Sequence, residues 1–214
     1  MEGLGDRLTA VRDRVERAGG DWRSITLVAV TKDFGVEAVH GALANGLNNL
    51  GENRADQLVA KAGAIPDGVD WHYLGRVQRN QVRKIAPFVG LWQAVDRLAA
   101  GEEIAKRAPG AAVLVQVNVS GEPQKHGARE DDVPALADAL AGLGLDVRGL
   151  MAVGPTGPPE AARLGFRALA GLADRLALPV RSMGMTDDIE VAVQEGTTML
   201  RIGRGLFGER PSTT

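Results

Sequence analysis

The chain has 214 residues, no cysteine and a net charge of −2 at pH 7. These figures exclude disulfides, thiolate metal sites and cysteine nucleophiles, and they give no overall positive field that would attract nucleic acid or an anionic membrane. Every apolar run is shorter than the roughly 20 residues that span a bilayer. The first residues, MEGLGDRLTAVRDRVERAGG, are charged and amphipathic rather than a signal sequence, so we expect a soluble cytoplasmic protein.

Residues 7–18 place Leu8, Val11 and Val15 at helical spacing before a Gly-Gly stop at 19–20, which predicts a leading amphipathic helix. After it, short apolar runs alternate with longer helix-like stretches. The predicted strands are 24–30, 47–51, 69–75, 91–95, 112–119, 147–153, 179–183 and 198–203. The predicted helices between them are 36–45, 54–64, 79–88, 97–107, 131–142, 159–177 and 187–195.

Strict alternation of strand and helix predicts parallel pairing, because parallel neighbours need a crossover connection. Eight such units in about 200 residues lie at the lower size limit of a (β/α)8 barrel, an α/β fold. A doubly wound open sheet is the alternative, since the second and fourth strands are weakly marked. No Pro-rich or Ser-rich linker divides the chain, so we expect one domain over 1–214, with a leading helix at 1–20 and the barrel at 24–208.

The run LVAVTKDFG, residues 27–35, leads a buried-type strand directly into a charged residue, Lys32. Side chains alternate faces along a strand, so Lys32 shares a face with Val28 and Val30. If those valines fill the barrel interior, the lysine emerges at the C-terminal mouth, where barrel active sites are found. There its amine can form a Schiff base with a carbonyl; otherwise it only marks the exit of the strand into solvent.

The last two predicted strands end in glycine-containing segments, SMGMTDD at 182–188 and RIGRG at 201–205. Loops after strands seven and eight of a barrel often bind phosphate through backbone N–H groups, and glycine permits a close approach. We expect Thr186-Asp187-Asp188 to cap the following helix. The segment GRGLFG at 203–208 matches G-x-G-x-x-G, but the six residues after it cannot form the βαβ unit of a dinucleotide site.

A lysine at one strand end and a phosphate-binding loop across the same mouth suit an aldehyde that carries a phosphate, and pyridoxal 5'-phosphate (PLP) is such a ligand. Arg201 shares its face with Met199 and Gly203, so an interior face would place its guanidinium in the mouth. A permanent cation beside the pyridine nitrogen disfavours protonation of that nitrogen. The ring would then be a poorer electron sink, which mutes carbanion chemistry on a bound amino acid.

Seven stretches match one known family in order: LVAVTK, LGENRADQL, WHYLGRVQRNQ, QVNVSGEPQKHG, GLMAVGP, SMGMTDD and RIGRGLFG. Through them the chain resembles, over residues 24–208, the pyridoxal phosphate homeostasis proteins (YggS/PROSC type). The barrel of this family is like the N-terminal domain of alanine racemase, without the second domain of the racemase. The resemblance implies that Lys32 carries the cofactor as an internal aldimine and that Asn53 lies beside it.

The resemblance also implies phosphate contacts from Ser182 and from the backbone of Gly184 and Gly203, with Arg201 facing the pyridine nitrogen. Methionine usually fills gaps in a core, and Met151, near a strand end, can also pack against the ring. The expected cofactor-binding residues are Lys32, Asn53, Met151, Ser182, Gly184, Met185, Arg201, Gly203 and Arg204. No catalytic residue and no metal ligand is expected.

The family resemblance implies a role in PLP homeostasis, in which the protein buffers the cofactor and delivers it to apo-enzymes without catalytic turnover. We expect a monomer that binds neither nucleic acid nor membrane. The sequence departs from the family at Arg204, where a small hydroxyl residue is usual, and at Arg76, where a histidine is usual. Arg204 either adds a cation to the phosphate pocket or swings outward.

Several residues have plainer alternatives. Asn53 can cap the next helix, and a solvated or ion-paired role suits Glu52 better than an acid–base role. The histidines, His40, His72 and His126, lack the spacing of a metal site, and His72 can face either the mouth or the outer helix layer. A basic helix face formed by Arg76, Arg79, Arg83 and Lys84 is best explained as solvated, given the negative net charge.

An amino-acid racemase is the main alternative function. Racemisation needs a base on each face of the substrate carbon, and the second base in related racemases is a tyrosine. The single tyrosine, Tyr73, lies inside a predicted strand, which does not suit that role. A cofactor-free aldolase that uses Lys32 would need a neighbouring acid or second lysine, which the sequence does not place. We therefore favour a carrier.

Overall fold

Eight short parallel strands form a closed barrel in which each strand pairs with the next and the eighth pairs with the first. The structure, a computed structural model, describes residues 3–65, 67–122 and 126–209. The strands are β1 (Thr26–Val30), β2 (Asn49–Glu52), β3 (Asp70–Tyr73), β4 (Val89–Val95), β5 (Ala112–Gln116), β6 (Asp146–Met151), β7 (Val180–Ser182) and β8 (Met199–Ile202). The predicted (β/α)8 barrel is confirmed, and the open-sheet alternative is wrong.

Helices follow the strands as predicted, with one addition after β8. They are α1 (Leu4–Arg17), α2 (Val36–Ala44), α3 (Ala55–Ala64), α4 (Arg79–Ile85), α5 (Leu98–Arg107), α6 (Val133–Gly142), α7 (Arg163–Arg175), α8 (Ile189–Gln194) and α9 (Arg204–Phe207). The predicted helices 131–142 and 159–177 begin as 3-10 turns, and α9 is the short helix that the sequence pattern does not predict. Within the described ranges, no helix has an apolar stretch long enough to cross a membrane.

The weakly marked second strand forms, but it begins at Asn49 rather than at residue 47. The preceding helix explains the shift. Gly46 adopts a left-handed φ of 74°, and the N–H of Leu47 donates to the carbonyl of Ala42 at 3.0 Å. These are marks of a Schellman motif, in which the residues just after a helix satisfy its last carbonyl groups. Leu47 therefore belongs to the end of α2 and not to the strand.

The barrel wall divides the apolar core in two. A large cluster fills the layer between strands and helices, and a smaller one fills the barrel interior. Along β1, Leu27 and Ala29 belong to the outer layer and Val28 to the interior, as a two-residue period requires. Residues of β1 that are two positions apart share a face, so those that alternate from Val28 point toward the barrel axis. A residue that continues this alternation beyond the end of the strand points into the mouth.

Four buried polar side chains form a hydrogen-bonded chain in the barrel interior. Nη1 of Arg201 donates to Oγ of Ser182 at 2.7 Å, and that hydroxyl donates to Oε1 of Gln93 at 2.6 Å. The side-chain nitrogen of Gln93 lies 2.7 Å from Nδ1 of His72. Buried polar groups are costly unless they are paired, and in this chain each polar side chain has a hydrogen-bond partner inside the barrel. It also settles the position of His72, which faces the interior below the mouth.

Candidate functional site

A cavity of about 300 Å³ opens at the C-terminal ends of the strands. It is lined by Val30, Lys32, Phe34, Asn53, Leu74, Met151, Val153, Met185, Thr186, Asp187, Arg201, Gly203 and Arg204. Of the expected cofactor-binding residues, Lys32, Asn53, Met151, Met185, Arg201, Gly203 and Arg204 therefore share one cavity. Ser182 and Gly184 are not among its lining residues. We call Lys32 and Asn53 the β1–β2 wall, and Met185, Thr186, Asp187, Gly203 and Arg204 the β7–β8 wall.

Lys32 reaches the cavity for the reason that strand alternation predicts. Val28 lies in the interior cluster, and Val30 and Lys32 follow on the same face as lining residues of the cavity. The lysine is partly buried. Thr31, between them, is fully buried and its hydroxyl donates to Oε1 of Glu52 at 2.7 Å. The side chain before the lysine is thus fixed on the opposite face of the strand end.

A buried ion pair lies behind the β1–β2 wall. Nζ of Lys61, on α3, donates to Oε1 of Glu52 at 2.5 Å and to the carbonyl oxygen of Thr31 at 2.7 Å. Burial raises the pKa of Glu52, although the hydrogen bonds from Lys61 and Thr31 act in the opposite direction. The expected ion-paired role of Glu52 is confirmed. The pair links the ends of β1 and β2, and Lys32 and Asn53 are the next residues along each strand.

Asn53 faces the cavity rather than the start of the next helix. The residue at the N-cap of α3 is Arg54, and no side chain caps that helix. The alternative explanation of Asn53 as a helix cap is therefore wrong. The Asn53 side chain is exposed in the mouth and lines the same cavity as Lys32, where it can donate or accept a hydrogen bond.

Arg201 places a buried cation beside the cavity. Its side chain is only 4% exposed, and it donates to the carbonyl oxygens of Ser182 and Ala152 at 2.7 Å each. Burial lowers the pKa of Arg201 to about 10, and the Asp188 carboxylate opposes that shift. The guanidinium therefore keeps its charge at neutral pH. Met199 belongs to the interior cluster and Arg201 lines the cavity, so the face of β8 that they share points into the barrel, as expected.

Ser182 and Gly184 lie beneath the cavity instead of on its wall. Ser182 is level with Met199 in the strand register, one layer below Arg201, and its hydroxyl is used by Arg201 and Gln93. Gly184 is buried with φ of 97°, and an added Cβ would lie 2.5 Å from the Cβ of Ala192. Neither residue lines the cavity in this structure, so their direct contacts with a phosphate stay a prediction from the family resemblance.

Thr186 is a lining residue that the sequence pattern assigned to a helix cap. The helix α8 begins only at Ile189, with Asp188 at its N-cap, so the Thr186 hydroxyl is not needed there. Its Oγ1 accepts a hydrogen bond from the N–H of Gly205 at 3.0 Å, which ties the β7–α8 loop to α9. The signal was present in the sequence, since a hydroxyl residue stands next to the glycine-containing turn after β7.

Arg204 lies on the rim of the cavity. Its side chain is 49% exposed, and Nη2 forms an ion pair with Asp187 at 2.5 Å. It thus lines the cavity while its guanidinium is held near the outer edge. Because β8 pairs directly with β1 in the closed barrel, the β7–β8 wall lies beside the end of β1. The two walls adjoin each other and do not face each other across the mouth.

The position of Tyr73 does not suit the second base that the racemase alternative needs. Tyr73 is buried in the outer layer, edge-on to Trp92 with ring centroids 5.8 Å apart, and its hydroxyl donates to Gln81 at 3.1 Å. Burial raises its pKa to about 12. Tyr73 therefore points away from the mouth. Arg76, at the other position that departs from the family, lies exposed on the surface, 4.0 Å from Asp96.

The barrel, with a lysine at the end of β1 and an arginine inside the end of β8, is assigned to a class by comparison with a known family. The profile of the family "Alanine racemase, N-terminal domain" matches residues 7–211. The class is thus an alanine-racemase-like barrel.

Full-length relatives narrow the class to one family. The pyridoxal phosphate homeostasis protein of Pseudomonas aeruginosa is 39% identical over 209 residues, covering 94% of this chain and 91% of that protein. Its counterpart in Deinococcus radiodurans is 37% identical over 207 residues, covering 94% and 97%. The structure of PipY from Synechococcus elongatus with PLP bound has a TM-score of 0.83 and 29% identity, covering 96% of this chain and 100% of that one. The chain belongs to the pyridoxal phosphate homeostasis protein family, as its motifs predict.

Proposed function

We propose that this chain binds PLP in the cavity as a Schiff base on Lys32 and takes part in PLP homeostasis by buffering and delivering the cofactor. The observation that carries the proposal is that one cavity is lined by an amine, a buried cation and a glycine, from Lys32, Arg201 and Gly203. With PLP bound, the Lys32 amine would condense with the aldehyde of the cofactor and release water. The names of the relatives and the PLP bound in PipY support the choice of ligand.

Arg201 is the residue we assign to the pyridine nitrogen. A guanidinium has five N–H donors, and three of its hydrogen bonds go to Ser182 and Ala152, so donors remain for an acceptor in the cavity. A donor that stays charged disfavours a protonated ring nitrogen. PLP supplies an electron sink for carbanion chemistry, and an unprotonated ring makes that sink weaker. Arg201 therefore suits a protein that holds the cofactor rather than one that turns over amino acids.

For the phosphate group we assign the β7–β8 wall. Thr186 offers a hydroxyl, Gly203 a backbone without a side chain and Arg204 a cation at the rim. Ser182 acts indirectly by holding Arg201, and Gly184 allows the turn after β7. On the other wall, Asn53 is placed to bond the ring oxygen or Lys32, while Met151 packs against the ring.

The proposed partners are apo forms of PLP-dependent enzymes, which would receive the cofactor from the open mouth of the barrel. A monomeric state and a cytoplasmic location are further predictions from the sequence. Delivery can be measured directly. Transfer of PLP to an apo-enzyme should be faster than release of PLP into buffer. Steady racemisation of L-alanine, followed by chiral analysis, would contradict the carrier role and favour the racemase alternative.

The Schiff base is tested by spectroscopy and peptide mapping. Protein supplied with PLP should show a visible absorption band, and Lys32→Ala should lack it, because no other amine is placed in the lining of the cavity as described. Lys84→Ala, at an exposed position on α4, is the matched control and should keep the band. Borohydride reduction should attach the label to Lys32. A label on Lys61, Lys84 or Lys106 would overturn the assignment.

A further inference from the structure

The leading helix α1 is not one of the eight strand–helix units, yet it packs against α8 and α9, which flank the β7–β8 wall. Its buried residues are Leu4, Val11 and Val15. Arg7 and Arg14 are about two helical turns apart, so they lie on one face of the helix, beside that apolar stripe. Both side chains are only partly exposed. The helix thus directs two cations toward the elements that build one side of the cavity.

Arg14 holds the β7–α8 loop. Its Nε and Nη2 atoms each donate to the Glu190 carboxylate at 2.6 Å, and this two-bond pair orients the guanidinium. The remaining terminal nitrogen, Nη1, donates to the carbonyl oxygen of Thr186 at 2.7 Å. Thr186 lines the cavity. A residue of α1 therefore fixes the backbone of a residue proposed to bind phosphate.

Arg7 does the same for the segment after β8. Its Nε donates to the carbonyl oxygen of Leu206, in α9, at 2.5 Å. The Thr186 hydroxyl accepts from the N–H of Gly205, so the two segments are also bonded to each other. The result is a closed circuit of hydrogen bonds that runs from α1 to the β7–α8 loop, on to α9 and back to α1.

We propose that Arg7 and Arg14 are positioning residues for the phosphate group of the cofactor. This inference rests on the proposed function. Neither arginine is among the described residues that line the cavity, so each acts through the backbone it holds. The segments they fix present Thr186, Gly203 and Arg204, whereas the strand end before Lys32 is held separately, through Thr31, by the Glu52–Lys61 pair. Their loss should weaken binding of the phosphate and spare the reaction of the amine with the aldehyde.

The test compares PLP with pyridoxal, which has the same aldehyde and no phosphate. In Arg14→Met the affinity for PLP should fall about tenfold, the equivalent of about 1.4 kcal/mol, while the affinity for pyridoxal should not change. Binding of inorganic phosphate to the protein without PLP, measured by calorimetry, should weaken by a similar factor. Arg12→Met, at an exposed position of the same helix, is the control and should behave as the wild type.

Equal losses of affinity for PLP and pyridoxal in Arg14→Met would show a purely structural role for the arginine. An unchanged affinity for PLP would show that the two segments keep their positions without it. Either result would overturn the inference. If Arg14→Met does not fold, Arg7→Met makes the same prediction with a loss of about threefold for PLP, because it removes the hydrogen bond to the Leu206 carbonyl. A wild-type protein without a Schiff base would refute the proposed function alone, provided that phosphate binding still depends on Arg14.

Discussion

The two walls of the cavity are held by ion pairs of different kinds. Behind the β1–β2 wall, the Glu52–Lys61 pair is buried and holds Thr31, the residue before Lys32. Behind the β7–β8 wall, the pair formed by Arg14 holds Thr186, and its two side chains are 27% and 44% exposed. Salt screens exposed charges far more than buried ones. The support of the amine should therefore be insensitive to ionic strength, and the support of the phosphate should be sensitive to it.

This difference matches what each part of the proposed ligand needs. A covalent bond to Lys32 forms only if the amine is placed accurately, and a buried pair on the far side of the strand end restricts that placement. The phosphate would be held by hydrogen bonds and charge, which weaken gradually as the supporting segments loosen. A protein that must both hold and release a cofactor can use a rigid wall for the first task and an adjustable wall for the second.

The largest expected effect comes from breaking the rigid wall. Lys61→Met leaves the Glu52 carboxylate buried and unpaired, so the free energy of unfolding should fall by about 3–5 kcal/mol. Urea denaturation at neutral pH measures this loss. The double variant Lys61→Met/Glu52→Gln should recover most of it, because no buried charge is left. A loss below about 1 kcal/mol in the single variant would mean that this pair does not hold the wall.

The same variant should have a pH dependence of defined sign. Burial raises the pKa of Glu52 above its ordinary value of 4.5, and removal of Lys61 should raise it further. A carboxyl group with a raised pKa in the folded state binds its proton more tightly when folded. Its stabilising contribution is present below pH 4.5 and is lost as the pH rises through the folded-state value. Lys61→Met should therefore lose stability as the pH rises above 4.5, and the double variant should show no such slope.

A smaller effect is expected at the turn below the β7–β8 wall. Gly184→Ala forces a left-handed φ of 97° on alanine and brings its Cβ to 2.5 Å from the Cβ of Ala192. The free energy of unfolding should therefore fall by about 2–3 kcal/mol. The affinity for PLP should fall too, because the Gly184 carbonyl accepts the N–H of Arg201. Gly63→Ala, on α3, is the control, because an added Cβ there meets no neighbouring atom. It should raise the free energy of unfolding by about 0.5–1 kcal/mol. Equal stabilities for the two variants would contradict the packing described.

The smallest effect is expected at the rim. Arg204→Thr restores the small hydroxyl residue that the family usually has. Exposed ion pairs such as Arg204–Asp187 contribute about 0–1 kcal/mol, so stability should barely change. The affinity for PLP at low salt should fall about two- to fivefold, and this difference should shrink as salt is added. An unchanged affinity at low salt would mean that the guanidinium does not act on the phosphate, and would leave that role to Thr186 and Gly203.

The sequence by itself determined the alternation of strands and helices, and which residues share a strand face with the two charged side chains of the site. Alternating strands and helices require parallel pairing through crossover connections, and eight such units close into a barrel. A two-residue period places Lys32 with Val28 and Val30, and Arg201 with Met199. These rules depend only on residues that are close together in the chain, so they hold before any packing is known.

Tertiary structure alone decided which atoms meet. Ser182 lies under Arg201 because the register of β7 against β8 ends it one layer lower. Thr186 reaches the cavity because α8 begins three residues later, and Lys61 meets Glu52 because α3 packs on the ends of two strands. Arg14 reaches Thr186 across 172 positions of the chain. Which distant residues come into contact depends on the register of the strands and on how the helices pack against them. A local sequence pattern does not contain this information.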